Sequence, residues 1–176
     1  MIDFIGQLAV AAGNLAEEGR RSLAAEDIRC KASSADLVTA VDRRVEEFIS
    51  AEIRGRYPGH GLFGEETGSS GDTAEHCWII DPIDGTTSFV HGFPYYSVSI
   101  ALRHRGRMVA GAVYAPMLRE LFTAEAGAGA RLNGRPIRVS ECGELRNALL
   151  ATGFGCVRAR MRPDNFEFLP EITRSV

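Results

Sequence analysis

An apolar run that ends in two closely spaced aspartates constrains the fold of this chain more than any other stretch. Residues 78–87 read WIIDPIDGTT. The apolar residues predict a buried strand that carries Asp81 at its end. Pro82 fixes its own φ angle and restricts the residue before it to extended backbone, so the carboxylate is held in place. The pair Asp84-Gly85 predicts a turn into a short helix.

The same segment predicts a site for metal and phosphate. Backbone N–H groups of Gly85 and Thr86 at the start of a helix can bind an anion. Two carboxylates beside an anion site would repel a phosphate unless cations lay between them, so the segment implies divalent metal. Ligands that are all oxygen favour Mg²⁺, with Mn²⁺ as the other candidate, over zinc. Asp-Pro and Asp-Gly are also common turn pairs, and a plain turn is the alternative reading.

The segment resembles the signature of the inositol monophosphatase family, which consists of Mg-dependent, lithium-sensitive phosphatases. Residues 87–94, TSFVHGFP, continue the resemblance. So do residues 36–42, DLVTAVD, and residues 64–66, GEE. The resemblance covers nearly all of the chain from Lys31 onward, and this chain is similar to the earlier and larger part of the family pattern.

The resemblance is the main reason to assign a functional role to Asp42 and Glu65. By spacing alone, Thr39 and Asp42 form a capping box for a helix, which gives Asp42 a structural use. The resemblance implies that Asp42 also orients the attacking water. Glu65 and Glu66 are adjacent and would point to opposite sides of an extended segment, so only one can join a site. The resemblance assigns Glu65, whereas paired glutamates in a loop are otherwise a solvated surface feature.

The resemblance implies that a metal-activated water hydrolyses a phosphate monoester without a covalent intermediate. The implied metal ligands are Glu65, Asp81, the backbone carbonyl of Ile83 and Asp84. The implied catalytic residues are Asp42, Glu65 and Thr86. The implied substrate contacts are Asp84, Gly85 and Thr86. The implied cofactor is Mg²⁺, with two or three ions in the family and Mn²⁺ as a substitute.

The expected substrate is a small sugar or polyol phosphate, with inositol monophosphate first. Histidinol phosphate, fructose bisphosphate and phosphoadenosine nucleotides are alternatives within the same fold. A hypothesis of another class is a truncated copy that binds metal or a protein partner without turnover. It rests on one departure: family members continue into a second portion with a Trp-Asp-x-x-Ala segment, and the only tryptophan here is Trp78. Family members are commonly homodimers, so a homodimer is a further expectation.

Hydrophobic periodicity predicts two helices followed by strands. Helical spacing runs over residues 2–19 and from about residue 39 to residue 56. Alternation then predicts strands, at residues 97–102, 107–113, 120–124 and 149–154. Asn133-Gly134 predicts a hairpin with Ile137 and Val139 on its outgoing strand. Residues 163–172 have room for a last short helix.

This order of elements predicts an α/β fold in the form of an α+β layered sandwich. Two N-terminal helices are expected to pack on a large antiparallel sheet. We expect one domain over residues 1–176 that lacks the C-terminal α/β half of the family fold. Where that half would pack, an exposed sheet edge or apolar face is expected, with a tendency to associate.

Composition excludes several classes of partner. The formal net charge of −3 gives no reason to expect nucleic acid. The N-terminus has no basic segment and no stretch approaches a membrane span, so we expect a cytoplasmic protein without a membrane partner. Four cysteines and four histidines are scattered along the sequence. We therefore expect free thiols, no disulfide framework, no histidine cluster and no zinc site.

Overall fold

The computed structural model describes residues 1–24, 28–30, 37–70, 74–153 and 163–175. They fall into two compact units, residues 1–137 and the residues from 138 onward. All the strands of the described ranges belong to the first unit. No helix in those ranges is both long and apolar enough to span a bilayer.

Helix α1 (Ile2–Arg21) extends two residues beyond the predicted end at residue 19. Its buried residues recur at every third or fourth position, as an amphipathic helix requires. Gly19 does not end the helix. Its lack of a side chain instead allows a close contact with Val41. A Cβ there would lie 2.7 Å from Cγ1 of Val41. The missing side chain therefore lets the second helix approach.

Helix α2 (Ala40–Arg56) confirms the predicted second helix. Thr39 is its N-cap, and the predicted capping box is formed: the Thr39 Oγ1 accepts from the N–H of Asp42, whose carboxylate accepts from the N–H of Thr39. The apolar face of α2 is fully buried and includes Val45, Ile49 and Ile53. The two helices form one layer of the first unit.

The strands of the described residues form two sheets. Strands β1 (Ile28–Cys30) and β2 (Leu37–Thr39) pair antiparallel by themselves. Lys31 and Asp36, which the sequence places between them, lie outside the described residues. The other eight strands are β3 (Gly61–Gly64), β4 (Gly68–Ser70), β5 (His76–Asp84), β6 (Ser97–His104), β7 (Arg107–Ala115), β8 (Glu120–Glu125), β9 (Gly129–Leu132) and β10 (Arg135–Ile137). They form one sheet in the order β10-β9-β8-β7-β6-β5-β3-β4.

Most strand predictions for the first unit are confirmed. Strands β6, β7 and β8 cover the three predicted ranges. Asn133 and Gly134 connect β9 to β10 with φ angles of 49° and 78°, which suit a type I′ turn. Strand β10 ends at Ile137, so Val139 does not lie on it. Periodicity did not predict the edge strand β4, whose residues are all exposed.

One pair of strands contradicts the predicted antiparallel sheet. Strand β3 pairs with β5 in parallel, with Gly64 opposite Ile80. The reason is that the chain first turns back through β4, on the far side of β3, before it enters the sheet again. Parallel pairing brings the C-terminal ends of β3 and β5 to the same edge of the sheet. Glu65 and Asp81 lie at that edge.

The large sheet has one covered face and one open face. Helices α1 and α2 pack on the covered face, where the core includes Trp78, Ile80 and Ile100. On the other face, consecutive cross-strand partners form a row, which we call the open-face row: Asp81, Ser99, Val113 and Phe122. Val113 and Phe122 are 39% and 36% exposed. An apolar part of this face is therefore open to solvent.

The second unit contains a short 3-10 helix, Leu145–Asn147, and helix α4 (Asn165–Ser175), which confirms the predicted last helix. The predicted strand at 149–154 is not formed: residues 149–153 are irregular, and Phe154 lies outside the described residues. Leu149 is fully exposed and Leu150 half exposed. These residues do not gain the burial that favours a strand.

Candidate metal and phosphate site

Strand β5 does not end at Asp81, as predicted, but continues through Pro82 to Asp84. Its pairing with β6 slips between the two aspartates, because Asp81 lies opposite Ser99 and Asp84 lies opposite Ser97. Three steps along β5 match two along β6, which is a β-bulge. Residues three apart on a regular strand point to opposite faces, and the extra residue brings both aspartates to one side. Pro82 suits a bulge because it has no N–H to pair.

Glu65 follows β3 directly and reaches the same edge of the sheet. Its N–H donates to the carbonyl of Ile80 at 3.2 Å, which continues the parallel pairing by one residue. Its carboxyl group lies within hydrogen-bonding reach of the Asp81 carboxyl group. The structure therefore brings together three of the predicted metal ligands, which are Glu65, Asp81 and Asp84.

The carboxyl group of Asp81 is affected by both of its acidic neighbours. Burial, then the neighbouring Glu65, then Asp84 raise the pKa of its carboxyl group to about 7. Its Oδ1 is buried and has no hydrogen-bond partner within the described structure. A buried carboxylate oxygen without a partner is destabilising, and two negative neighbours increase the cost.

These residues fit a divalent ion such as Mg²⁺ or Mn²⁺. The donors are all oxygen atoms, and the buried Oδ1 of Asp81 is able to accept an ion. Among the described residues, the three carboxylates are not a group whose ligand atoms all lie within 4.8 Å of one another. Mg²⁺ retains several of its waters, so it does not require every donor at contact distance.

Asp42 reaches the site from the start of α2. Its Oδ2 accepts hydrogen bonds from the N–H and Oγ1 of Thr39 at 2.8 and 2.6 Å. Its Oδ1 faces the Oγ1 of Thr86 at 3.3 Å, and that hydroxyl also lies 3.0 Å from the carbonyl oxygen of Ile83. Burial raises the pKa of Asp42. Asp42 therefore caps its helix with one oxygen and presents the other to Thr86.

Gly85 connects β5 to helix α3 (Thr86–Val90), and the predicted turn into a short helix is confirmed. Its φ angle is +88°, a conformation that glycine adopts without strain. A Cβ at this position would also lie 2.8 Å from the carbonyl oxygen of Tyr95. Any other residue here would shift the neighbouring Asp84 and Thr86.

Glu46 was not predicted from the sequence, yet it holds the segment that carries Glu65. This fully buried side chain accepts hydrogen bonds from the N–H of Glu66 at 2.8 Å and from the N–H and Oγ1 of Thr67 at 2.9 and 2.5 Å. A Cβ on Gly64 would lie 2.2 Å from its Oε1. The signal in the sequence is a glutamate on the apolar face of a predicted helix, where a charge requires polar partners.

Three of the four histidines cluster, so the expectation of scattered histidines was wrong. His76 and His104 are cross-strand partners at the other end of β5, and His60 stacks on His76 with ring centroids 4.6 Å apart. They meet because strand pairing joins residues that are distant in sequence. Among the described residues, Glu75, His76 and His104 form the group whose ligand atoms lie within 4.8 Å of one another.

Two comparisons by sequence find relatives of this chain. Residues 1–173 match the model of the inositol monophosphatase family. The chain is 50% identical over 122 residues to the Nus factor SuhB of Pseudomonas aeruginosa, which covers 68% of this chain and 45% of that protein. It is 40% identical over 161 residues to inositol monophosphatase 1 of Sus scrofa, which covers 89% of this chain and 57% of that protein.

A comparison by structure finds the same fold in a solved protein. The extragenic suppressor protein suhB from Bartonella henselae superposes with a TM-score of 0.85 at 34% sequence identity, over 99% of this chain and 66% of that one. The chain spans about half the length of the curated relatives it matches.

Proposed function

The chain belongs to the inositol monophosphatase family, and on that premise we propose that it hydrolyses a small sugar or polyol phosphate in the presence of Mg²⁺. The observation that carries the proposal is the buried Oδ1 of Asp81, which lies beside Glu65 and Asp84 and has no hydrogen-bond partner among the described residues. Such a group is stable in a folded protein only when it is protonated or when a cation lies nearby. Metal binding would account for this destabilising arrangement of carboxyl groups.

Four groups are proposed to hold the ions, namely Glu65, Asp81, the backbone carbonyl of Ile83 and Asp84. Bound there, divalent ions supply the positive charge that activates a water and offsets the charge of the transferred phosphoryl group. The contribution of the chain is to fix these donors. The bulge at Pro82 directs two aspartates to one side, and the parallel pairing of β3 with β5 adds the glutamate.

Asp42, Glu65 and Thr86 are the proposed catalytic residues. The Thr86 hydroxyl, held between Asp42 and the carbonyl of Ile83, orients the attacking water. Asp42 accepts the proton of that water, and burial supports this role because it raises the pKa of the carboxyl group towards neutral pH. Glu65 acts with them as a metal ligand.

Asp84, Gly85 and Thr86 are the proposed substrate contacts. Asp84 is exposed at the end of β5, and Gly85 has no side chain that would obstruct a ligand. The first N–H groups of α3 have no partner within the helix and are available to phosphate oxygens. Inositol monophosphate is the leading substrate, supported by the name of the porcine relative. Histidinol phosphate, fructose bisphosphate and phosphoadenosine nucleotides are the alternatives.

The proposal extends to further properties, for which membership of the family is the support. These are Mg²⁺ as the metal, inhibition by lithium, assembly as a homodimer, a cytoplasmic location, and residues 1–176 as part of one domain.

Release of inorganic phosphate from a panel of monoesters that includes inositol monophosphate is the first test. We expect turnover that requires Mg²⁺ and falls with lithium. Asp81→Asn abolishes turnover, because the amide lacks the charge that holds the ions. Asp3→Asn, at an exposed position of α1, is the matched control and retains activity. An Asp81→Asn chain with near-normal turnover would overturn the assignment.

A second candidate is a family member that binds metal without turnover. It is favoured by one observation, that the Pseudomonas relative is named a Nus factor and not a phosphatase. Thermal unfolding separates the two candidates, because Mg²⁺ stabilises a folded chain that binds it whether or not phosphate is released. A melting temperature that rises with Mg²⁺ in the parent chain but not in Asp81→Asn, without phosphate release from any ester, favours the second candidate.

A further inference from the structure

A second group of potential metal ligands lies at the end of β5 that is remote from Asp81. His76 and His104 are directly opposite each other on β5 and β6, and their rings stack with centroids 4.2 Å apart. Glu75 precedes His76 in the chain. One potential ligand atom from each of the three residues lies within 4.8 Å of the others. Along a strand, five residues separate this group from Asp81 by about 17 Å.

The Glu75 carboxylate is held with one oxygen towards the histidines. Its Oε1 accepts hydrogen bonds from the Nη2 and Nε of Arg105 at 2.7 and 3.2 Å. The backbone N–H of Arg105 also donates to the carbonyl oxygen of Glu75 at 2.8 Å, which fixes this segment against the end of β6. The other carboxylate oxygen, Oε2, lies 3.9 Å from Nε2 of His104. Arg105 therefore occupies one oxygen and leaves the second for a ligand.

His60 packs on the ring of His76 and is not itself a ligand. Its Nδ1 accepts a hydrogen bond from the Nε1 of Trp78 at 3.0 Å, so the neutral ring carries its proton on Nε2. Its ring stacks on His76 at 4.6 Å with an angle of 9° between the planes. Burial, and then the neighbouring His76, lower the pKa of His60. A neutral, fixed ring thus packs on one side of His76.

We propose that Glu75, His76 and His104 bind a divalent transition-metal ion of the Zn²⁺ type. Two imidazole nitrogens and one carboxylate oxygen form a ligand set that suits Zn²⁺ and leaves a fourth position for water. The set differs from the all-oxygen group at Asp81, so the two ends of β5 select different metals. This site is independent of the proposed phosphatase function.

Binding requires one movement, which the structure permits. The lone pair of an imidazole nitrogen lies in the plane of the ring, so two nearly parallel rings cannot both point at one ion. His104 must therefore turn about its side-chain torsions. About a third of its side chain is exposed, which leaves room for this turn, and the turn breaks its stacking on His76. His76, packed between two rings, stays in place.

Calorimetric titration of the full chain with Zn²⁺, in excess Mg²⁺, tests the proposal. The Mg²⁺ competes at the Asp81 group, and Cys142→Ser in every variant removes the thiol that is exposed among the described cysteines. We expect one bound Zn²⁺ per chain, with an affinity reduced on the order of tenfold or more in His104→Ala and in Glu75→Gln. His91→Ala, an exposed histidine outside the group, is the matched control and binds as the parent does.

Far-UV circular dichroism of each variant shows whether it folds. Because Glu75 is exposed, Glu75→Gln is expected to fold. It therefore tests the Zn²⁺ site if His104→Ala does not fold. A parent chain that binds no Zn²⁺ in excess Mg²⁺ would overturn the proposal. So would an affinity for Zn²⁺ in Glu75→Gln equal to that of the parent.

Discussion

Glu17 connects helix α1 to the segment that follows the candidate site. Its carboxylate accepts two hydrogen bonds from the guanidinium of Arg20, both at 3.0 Å, and one from the hydroxyl of Tyr96 at 2.5 Å. A Cβ on Gly85 would lie 3.4 Å from the Cα of Tyr96, so this tyrosine belongs to the packing around the turn. The hydrogen bond from Arg20 is the main cause that lowers the pKa of Glu17 to about 2.

We predict that Glu17 makes the stability of the chain sensitive to acid. Its folded-state pKa lies below its ordinary value of 4.5, so the unfolded chain takes up the proton first and stability is lost as the pH falls from about 4.5 to about 2. Glu17→Gln removes this loss, on the order of 2 kcal/mol after allowance for the partial exposure of the side chain. Urea unfolding at a series of pH values measures it.

Glu18→Gln is the matched control, because Glu18 is the exposed neighbour of Glu17 on the same helix. The control should lose stability in acid as the parent does. An equal loss in Glu17→Gln and in the parent chain would show that the hydrogen bonds to Arg20 and Tyr96 do not stabilise the charged form.

At the scale of single residues, the site residues that lie together in one short segment could be predicted from the sequence. Asp81, Asp84 and Gly85 are recognisable together because the chemistry of the segment is local. Glu46 was missed because its partners lie 20 and 21 residues away, and Glu17 because Tyr96 lies 79 residues away. Hydrogen bonds over such separations depend on the fold and leave no local pattern.

At the scale of elements, the contact between the C-terminal end of β3 and helix α2 fixes the position of Glu65. The C-terminal end of β3 rests on the buried carboxylate of Glu46, which holds the two residues after Glu65 by their N–H groups. Gly64 makes this possible, because only a residue without a side chain leaves room for that carboxylate. The position of the proposed ligand is therefore fixed from α2 as well as from the sheet.

We predict that Gly64→Ala weakens both stability and metal binding. The added Cβ would lie 2.2 Å from Oε1 of Glu46, so the carboxylate must move and the segment after β3 loses its support. We expect a loss of about 2 kcal/mol or more, together with a smaller gain in stability on addition of Mg²⁺. Urea unfolding with and without Mg²⁺ measures both effects.

Gly55→Ala serves as the control for this substitution. Nothing lies within 4 Å of a Cβ at Gly55, and the residue is part of α2, so alanine should stabilise the chain by up to about 1 kcal/mol. A Gly64→Ala chain with the stability and the Mg²⁺ response of the parent would contradict the role given to Glu46.

The elements themselves were largely predictable, and their pairing was not. Periodicity and turn residues act over a few positions, so α1, α2 and the hairpin at Asn133-Gly134 follow from the sequence. The parallel pairing of β3 with β5 depends on β4, a three-residue strand without apolar residues, which no periodicity reveals. The proximity of Glu65 to Asp81 was therefore expected from the family resemblance, and its cause is visible only in the fold.

At the scale of the whole molecule, the proposed metal site opens onto the uncovered side of the sheet. Asp81 is the first member of the open-face row, which continues through Ser99 to Val113 and Phe122. Phe63 is also exposed, at 51%. The described chain thus presents carboxylates and apolar side chains on one surface, and exposed apolar surface of this kind favours association.

We predict that the native chain binds the dye ANS at this face. Exposed apolar side chains in adjacent positions provide the surface that the dye requires. The double substitution Val113→Thr with Phe122→Ser should lower the ANS fluorescence of the folded chain several-fold. Val139→Thr, at an exposed position outside the open-face row, is the control and should leave it unchanged. Equal fluorescence in the double variant and the parent would contradict the prediction.

The parallel pairing of β3 with β5 also bears on the order in which the protein folds. Gly61 pairs with Cys77, a short separation along the chain, so closing this loop costs little conformational entropy and the pairing can form early. Glu65 and Asp81 meet when this pairing forms. We therefore expect repulsion between these two carboxylates to slow the pairing as well as to lower the stability of the finished fold.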